Sequence, residues 1–128
     1  LGLLKTDFPV VLVSFNYRLN VFGFLGAEEL KTSNFGLEDQ RLAMAWVKQH
    51  IDAFGGDGTD ITIAGTSAGG NSVYHHLVQP QSFGLFSKAI IQSGCNQNQT
   101  IPLAEAQEVY DRLKEQTGCS TRQCLLQL

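Results

Sequence analysis

Five consecutive residues carry the clearest chemical signal in the sequence, namely Gly65-Thr66-Ser67-Ala68-Gly69. They fit the pattern Gly-x-Ser-x-Gly, which places a serine at the apex of a sharp turn between a strand and a helix. The turn exposes the hydroxyl, and glycines two residues before and two residues after the serine leave no side chains to collide there. We predict that Ser67 is a nucleophile that attacks a carbonyl carbon.

The residue after the serine contributes to the same chemistry through its backbone. If a helix begins at Ala68, its N–H lies among the unpaired donors at the positive end of the helix. Such a donor stabilises the oxyanion that develops when a carbonyl is attacked. We therefore predict that the Ala68 N–H is an oxyanion donor. The alternative is that residues 65–70 form an ordinary tight turn with no catalytic role.

The elements around this turn are those that the pattern requires. β-Branched apolar runs predict strands, and apolar residues at helical spacing predict helices. The predicted strands are 9–15, 61–64 and 87–92, the predicted helices are 37–54, 72–78 and 103–117, and 16–34 is a long irregular connection. This alternation predicts an α/β fold, with a mostly parallel sheet and flanking helices.

Composition excludes several classes of function. The chain has 128 residues, of which 43% are hydrophobic and 16% charged, as expected of one packed domain. Its formal net charge of −3 argues against nucleic acid as a partner. Its apolar runs are too short to cross a bilayer, so no transmembrane segment is predicted. No cluster of histidine, cysteine and aspartate has metal-ligand spacing, so we expect no metal site.

The histidines near the serine are poor candidates for its general base. His75 and His76 follow Ser67 by eight and nine residues on a predicted helix. At about 1.5 Å per residue they lie roughly 12–14 Å away, whereas a general base needs a distance of about 3 Å. We predict structural roles for both, and we expect His50 to interact with the negative end of its own helix.

A longer series of motifs resembles the type B carboxylesterase family, which includes cholinesterases and fungal lipases. The clearest are Asn16-Tyr17-Arg18-Leu19, Asp39-Gln40-Arg41-Leu42-Ala43, Phe54-Gly55-Gly56-Asp57, Ser67-Ala68-Gly69-Gly70 and Gln92-Ser93-Gly94. The resemblance covers nearly the whole chain, in the family's order and spacing. It implies that residues 1–128 are the central part of a single α/β-hydrolase domain whose N- and C-terminal parts are missing.

The resemblance also implies a function, which is hydrolysis of carboxylic esters through an acyl-enzyme on Ser67, without a cofactor. The substrate would be a small-molecule or lipid ester. The family's catalytic acid, histidine and glycine-rich oxyanion loop match no residues of this chain, so the chain alone should be inactive. The alternatives are a catalytically silent, cholinesterase-like adhesion or binding protein and a truncated non-enzyme. The sequence does not predict an oligomeric state.

Two positions depart from the family pattern. Thr66 stands where the family usually has a glutamate immediately before the serine, which removes a charge beside the nucleophile. Gly58 stands where the family usually has a proline after the Gly-Gly-Asp turn, and we expect this change only to loosen that turn.

The cysteines and a glycosylation sequon bear on localisation. Cys119 and Cys124 resemble the family's small disulfide loop, which leaves Cys95 without an assigned partner. Asn98 begins the sequon Asn-Gln-Thr, so it is a candidate glycosylation site. A disulfide and a glycan together favour a secreted protein. The alternative is a cytoplasmic chain with three reduced thiols.

Overall fold

The computed structural model describes residues 9–30, 33–95 and 100–128. The helices are α1 (Asn20–Phe24), α2 (Phe35–His50), α3 (Ala68–Val78), α4 (Leu103–Thr117) and α5 (Arg122–Leu125), and the strands are β1 (Thr62–Thr66) and β2 (Lys88–Gln92). Short 3-10 helices lie at Glu28–Leu30, Ile51–Phe54 and Pro80–Ser82. These elements belong to two compact units. The first draws on Leu1–Asn16 and Glu38–Asn96, and the second on Tyr17–Leu37 and Gln97–Leu128.

The sheet of the first unit is parallel. β1 pairs with β2 in a register that runs from Thr62 opposite Lys88 to Thr66 opposite Gln92. Parallel neighbours need a crossover connection, and α3 supplies it. This β1–α3–β2 arrangement confirms the predicted α/β class. It also places the carboxyl ends of both strands beside the start of α3, where the candidate nucleophile lies.

The predicted strand at 9–15 is wrong. The structure assigns no strand there, and the apolar side chains remain accessible, with Val10 45% and Leu12 70% exposed. A strand requires a hydrogen-bonded neighbour, and among the described residues only β1 and β2 pair in a sheet. The apolar run favours a strand by composition, but a local pattern does not show whether a neighbouring strand is available to pair with it.

The other predicted boundaries shift by a few residues. α2 begins two residues before the predicted helix and ends at His50, after which the 3-10 helix Ile51–Phe54 completes the predicted range. α3 begins at Ala68, directly after the serine, rather than at residue 72. The connection at 16–34 is less irregular than predicted, because it contains α1 and one 3-10 helix.

The second unit is held together around α4. Tyr110 is only 1% exposed, and its hydroxyl donates to the Glu29 carboxylate. Burial, and then this carboxylate, raise the pKa of Tyr110 to about 12. The Glu28 N–H also donates to the Gln107 side chain at 3.0 Å. These contacts join two segments that lie about eighty residues apart in the sequence.

A disulfide follows α4 in this unit. α4 ends at Thr117 and is capped by Gly118, which takes the left-handed conformation with φ +70°. The next residue, Cys119, forms a disulfide with Cys124, and their Cα atoms are 5.4 Å apart. The structure therefore contains the bridge that the family resemblance implied. Cys95, in the first unit, is a free and exposed thiol.

Gly58 does more than loosen its turn, contrary to expectation. The Asp57 carboxylate accepts hydrogen bonds from the Thr59 N–H and hydroxyl at 2.7 and 2.6 Å, which fixes the turn. A Cβ at Gly58 would lie 2.4 Å from the Lys48 carbonyl oxygen. The Gly58 N–H also donates to the Asp52 carboxylate at 3.3 Å. Glycine is therefore needed here so that the turn can approach the last turns of α2.

We expect Gly58→Ala to lower the free energy of unfolding by about 1–3 kcal/mol, because the new Cβ overlaps backbone that cannot move freely. Gly58→Pro should cost more, since it adds the same overlap and also removes the donor to Asp52. Urea unfolding of the full-length protein measures both changes. Wild-type stability of the proline variant would show that the turn is as permissive as the family pattern suggested.

Candidate functional site

Ser67 has the strained backbone of a nucleophile elbow. Its dihedral angles are φ +56° and ψ −120°, which is rare for a residue with a side chain and costs on the order of 1–3 kcal/mol. The residue is exposed and lies between the last residue of β1 and the first of α3. Its N–H donates to the Gln92 carbonyl at 2.9 Å, and its own carbonyl accepts from the Asn71 N–H at 3.0 Å. A strand end and a helix start therefore hold the conformation in place.

The glycines around Ser67 do not contribute as the five-residue pattern suggests. A Cβ at Gly65 would lie 2.2 Å from the Gly69 carbonyl oxygen, so this glycine is required. Apart from its chain neighbours and the backbone of α3 itself, a Cβ at Gly69 would meet no described atom within 4 Å. The required partner is Gly70, whose Cβ would lie 2.8 Å from the Gln92 carbonyl oxygen and 3.0 Å from the Gly94 Cα. The expectation for Gly69 was therefore wrong, because helix packing against the end of β2 constrains the next residue instead.

A neutral hydrogen bond occupies the position beside the nucleophile where the family usually has a carboxylate. The Thr66 hydroxyl donates to the side-chain oxygen of Gln92 at 2.8 Å. These two residues are direct neighbours in the parallel register. Gln92 thus binds both residues of the turn, Thr66 through its side chain and Ser67 through its carbonyl.

Ala68 is the first residue of α3, as the oxyanion hypothesis requires. α3 has 11 residues, and the backbone donors in its first turn have no partner further back in the helix. The Ala68 carbonyl accepts a hydrogen bond from the Ser72 hydroxyl at 3.1 Å. Both the nucleophile and the candidate oxyanion donor therefore belong to one short segment between β1 and α3.

A buried polar network lies behind this segment, and no local sequence pattern indicated it. The His76 ring nitrogens Nδ1 and Nε2 lie 2.8 Å from the Ser82 hydroxyl and 2.8 Å from the Gln40 side-chain oxygen. The Gln40 amide in turn donates to Ser72 at 3.1 Å. His76 is 3% exposed and Ser82 is fully buried. The partners come from three separate elements, so no motif could have predicted the network. The apolar residues next to these polar side chains were the only sequence signal that they are buried.

The network agrees with the prediction that His76 has a structural role rather than acting as the base for Ser67. Both of its ring nitrogens are engaged by other groups. Burial, followed by the nearby charges of Arg41 and His75, lowers the pKa of His76 to about 4. The ring is therefore neutral at physiological pH. His75 contacts the neighbouring Tyr74 ring, and His50 packs on Trp46 with ring centroids 4.9 Å apart, so these two make structural contacts as well.

The remaining site predictions concern a metal, a membrane span and a glycan. Within 9–30, 33–95 and 100–128, no group of three or more histidine, cysteine, aspartate or glutamate residues could hold a metal ion. No helix in those ranges is long and apolar enough to cross a membrane. Asn98, the candidate glycosylation site, lies outside the described residues. An open groove in the first unit is lined by apolar residues that include Phe15, Leu42 and Trp46, but by no residue of the elbow.

Comparison with known proteins agrees with this geometry. A model of the carboxylesterase family matches residues 2–127. The chain is 54% identical to Esterase E4 of Myzus persicae over 85 residues, which are 66% of this chain and 15% of that protein. It is 53% identical to Juvenile hormone esterase of Tribolium castaneum over 89 residues, which are 69% of this chain and 15% of that protein. It is 43% identical to Acetylcholinesterase of Danio rerio over 115 residues, which are 87% of this chain and 18% of that protein. The chain thus spans less than one fifth of the length of these relatives.

The two adjacent glycines should respond differently to a methyl group. We expect Gly70→Ala to lower the free energy of unfolding by about 1–3 kcal/mol, because its Cβ overlaps the backbone at the end of β2. Gly69→Ala, the matched control, should change it by less than about 0.5 kcal/mol. Chemical denaturation of both variants of the full-length protein measures the difference. Equal losses would contradict the assignment of the constraint to Gly70.

The buried His76 should make stability depend on pH. Because its pKa is lower in the folded state than the usual 6.5, its contribution is fully present above pH 6.5 and is lost as the pH falls from 6.5 toward 4. The loss is on the order of 3 kcal/mol. Thermal unfolding between pH 4 and pH 7 should show this slope in the wild type and in His75→Gln, whereas His76→Gln should flatten it. An unchanged slope in His76→Gln would refute the assignment.

Proposed function

The chain belongs to the carboxylesterase family, and we propose that its protein is a carboxylic ester hydrolase with Ser67 as the nucleophile. The observation that carries this proposal is the strained, exposed Ser67 backbone between a parallel strand and a helix. Relatives named esterases support it. An ordinary turn would gain nothing from a strained serine, whereas a nucleophile needs the exposure that this conformation provides.

In the proposed reaction, the Ser67 oxygen bonds to the ester carbonyl carbon, and the carbonyl oxygen becomes an oxyanion. The Ala68 N–H stabilises this oxyanion from the start of α3. Collapse of the intermediate breaks the bond to the alcohol oxygen and leaves an acyl-enzyme. The alcohol takes up the proton that the Ser67 hydroxyl gave up on attack. Water then attacks the acyl carbon, releases the acid and restores the Ser67 hydroxyl. The reaction uses no cofactor.

We further propose that residues 1–128 are the central part of a single α/β-hydrolase domain. The general base, its acid and the remaining oxyanion donors would come from parts of the protein beyond this sequence, consistent with the order serine, acid, histidine in this fold. The chain alone should therefore be inactive. The substrate is a small-molecule or lipid carboxylic ester, in keeping with relatives named esterases, cholinesterases and a lipase.

Secretion is the proposed localisation. The Cys119–Cys124 disulfide favours an oxidising compartment. A relative from Gibberella zeae, 42% identical over 125 residues that are 89% of this chain and 22% of that protein, is named Secreted lipase 4. A glycan on Asn98 would belong to the same compartment. Detection of both Cys119 and Cys124 as reduced thiols in the protein from its native source would favour the cytoplasmic alternative.

A second candidate function is a catalytically silent binding or adhesion protein on the same scaffold. The observation that favours it is the neutral Thr66–Gln92 pair, since the family usually has a glutamate before the serine. Retention of Ser67 in its strained conformation argues for the enzyme. Covalent labelling of the serine distinguishes the two functions.

We expect a fluorophosphonate probe to label the full-length protein on Ser67. Ser67→Ala should abolish labelling and lower kcat for a p-nitrophenyl ester by at least about 10⁴-fold. Ser87→Ala is the control, because this serine lies at the opposite end of the parallel pair and bonds to Asp60. An unlabelled wild-type protein would establish the silent alternative, and undiminished labelling of Ser67→Ala would place the nucleophile elsewhere.

A further inference from the structure

The buried network behind the elbow ends at the residue that carries the proposed oxyanion donor. It runs from Ser82 to His76, then to Gln40, to Ser72 and finally to the Ala68 carbonyl. Its members come from the 3-10 helix Pro80–Ser82, from α3 and from α2. Gln40 stands at its centre, since its amide is the link between the histidine and the serine that contacts Ala68.

Each hydrogen bond of the network is donated in the same direction, from Ser82 toward Ala68. The Ser72 hydroxyl has a single proton, and it is directed to the Ala68 carbonyl, which only accepts. The Ser72 oxygen therefore accepts from the Gln40 amide nitrogen. The Gln40 oxygen then faces His76 Nε2, which must carry the proton, so that Nδ1 accepts from the Ser82 hydroxyl. Each side chain on this path donates one hydrogen bond to the next group, so each orientation depends on the next.

Burial of the four side chains makes this orientation of the hydrogen bonds stable. Gln40 is 5% exposed, His76 3%, Ser72 8% and Ser82 0%. Water therefore cannot easily replace a lost partner, and an unpaired polar group in this position is costly. The charged and titratable neighbours of His76 are Arg41 on α2 and His75 on α3. Arg41 is itself bound to Gln79 and to Glu38, each at 2.5 Å.

We propose that Gln40 is a positioning residue for the oxyanion donor. Because its NH₂ group can only donate to Ser72, it turns the Ser72 proton toward the Ala68 carbonyl. That bond fixes one side of the Ala68 residue, while the other side carries the N–H that faces the substrate oxyanion. The proposal rests on the proposed function, since it assigns a role in the reaction of Ser67.

A single substitution reverses the direction of the central bond. In Gln40→Glu the carboxylate accepts rather than donates, so the Ser72 proton turns away from Ala68 while His76 Nε2–H keeps a partner. Ser72→Ala removes the same bond to Ala68 by deleting the hydroxyl. Gln79→Glu is the matched control, because it makes the same chemical change at a residue that bonds to Arg41 and lies outside the path to Ala68.

The test measures fluorophosphonate labelling of full-length variants near pH 8, normalised to titrated active sites so that a smaller folded fraction has no effect. Labelling of Gln40→Glu and of Ser72→Ala should each slow by about fivefold. The double variant should be no slower than Ser72→Ala alone. Gln79→Glu should label at the wild-type rate.

Hydrogen exchange provides a readout that does not depend on catalysis. The amides of residues 69–72 should exchange faster in Gln40→Glu than in Gln79→Glu, while those of α4 remain unchanged. Unchanged exchange, a wild-type labelling rate in Gln40→Glu or additive losses in the double variant would each overturn the proposal. Absence of labelling in the wild type would instead refute the proposed function, and exchange would still decide whether Gln40 positions Ala68.

Discussion

The strained conformation at Ser67 is the constraint on which the rest of the first unit depends. A residue at φ +56° and ψ −120° persists only when its surroundings leave it no alternative. Here the Gln92 carbonyl holds the serine N–H, and the first turn of α3 holds its carbonyl. The parallel pairing of β1 with β2, and the close approach of Gly70 to the end of β2, are the features that make this possible.

The same small volume is supported from two sides by different kinds of interaction. On the side of the sheet, backbone hydrogen bonds and glycine contacts determine where the serine lies. On the side of α2, a buried network of neutral side chains reaches Ala68 through Ser72. Neutral groups suit this position, because a buried charge would carry a large desolvation cost. The same desolvation cost is the main cause of the low pKa of His76.

The sequence predicted those features that depend on local pattern. The elbow, α3 and both paired strands follow from residues that are close together in the chain, so motif and periodicity were sufficient. The strand at 9–15 was wrong because pairing depends on a partner that a local pattern does not contain. The importance of Gly70 and the network through Gln40 were missed for the same reason, since each arises where separate elements pack together.

The sequence separation between the partners of these hydrogen bonds has a consequence for folding. The bond from the Ser67 N–H to the Gln92 carbonyl joins residues 25 positions apart. The link between Gln40 and His76 spans 36 residues. The entropy lost in closing loops of this size grows only slowly with their length. The elbow can therefore form as soon as β2 pairs with β1, because the hydrogen bonds described for it all lie between Gln40 and Gln92.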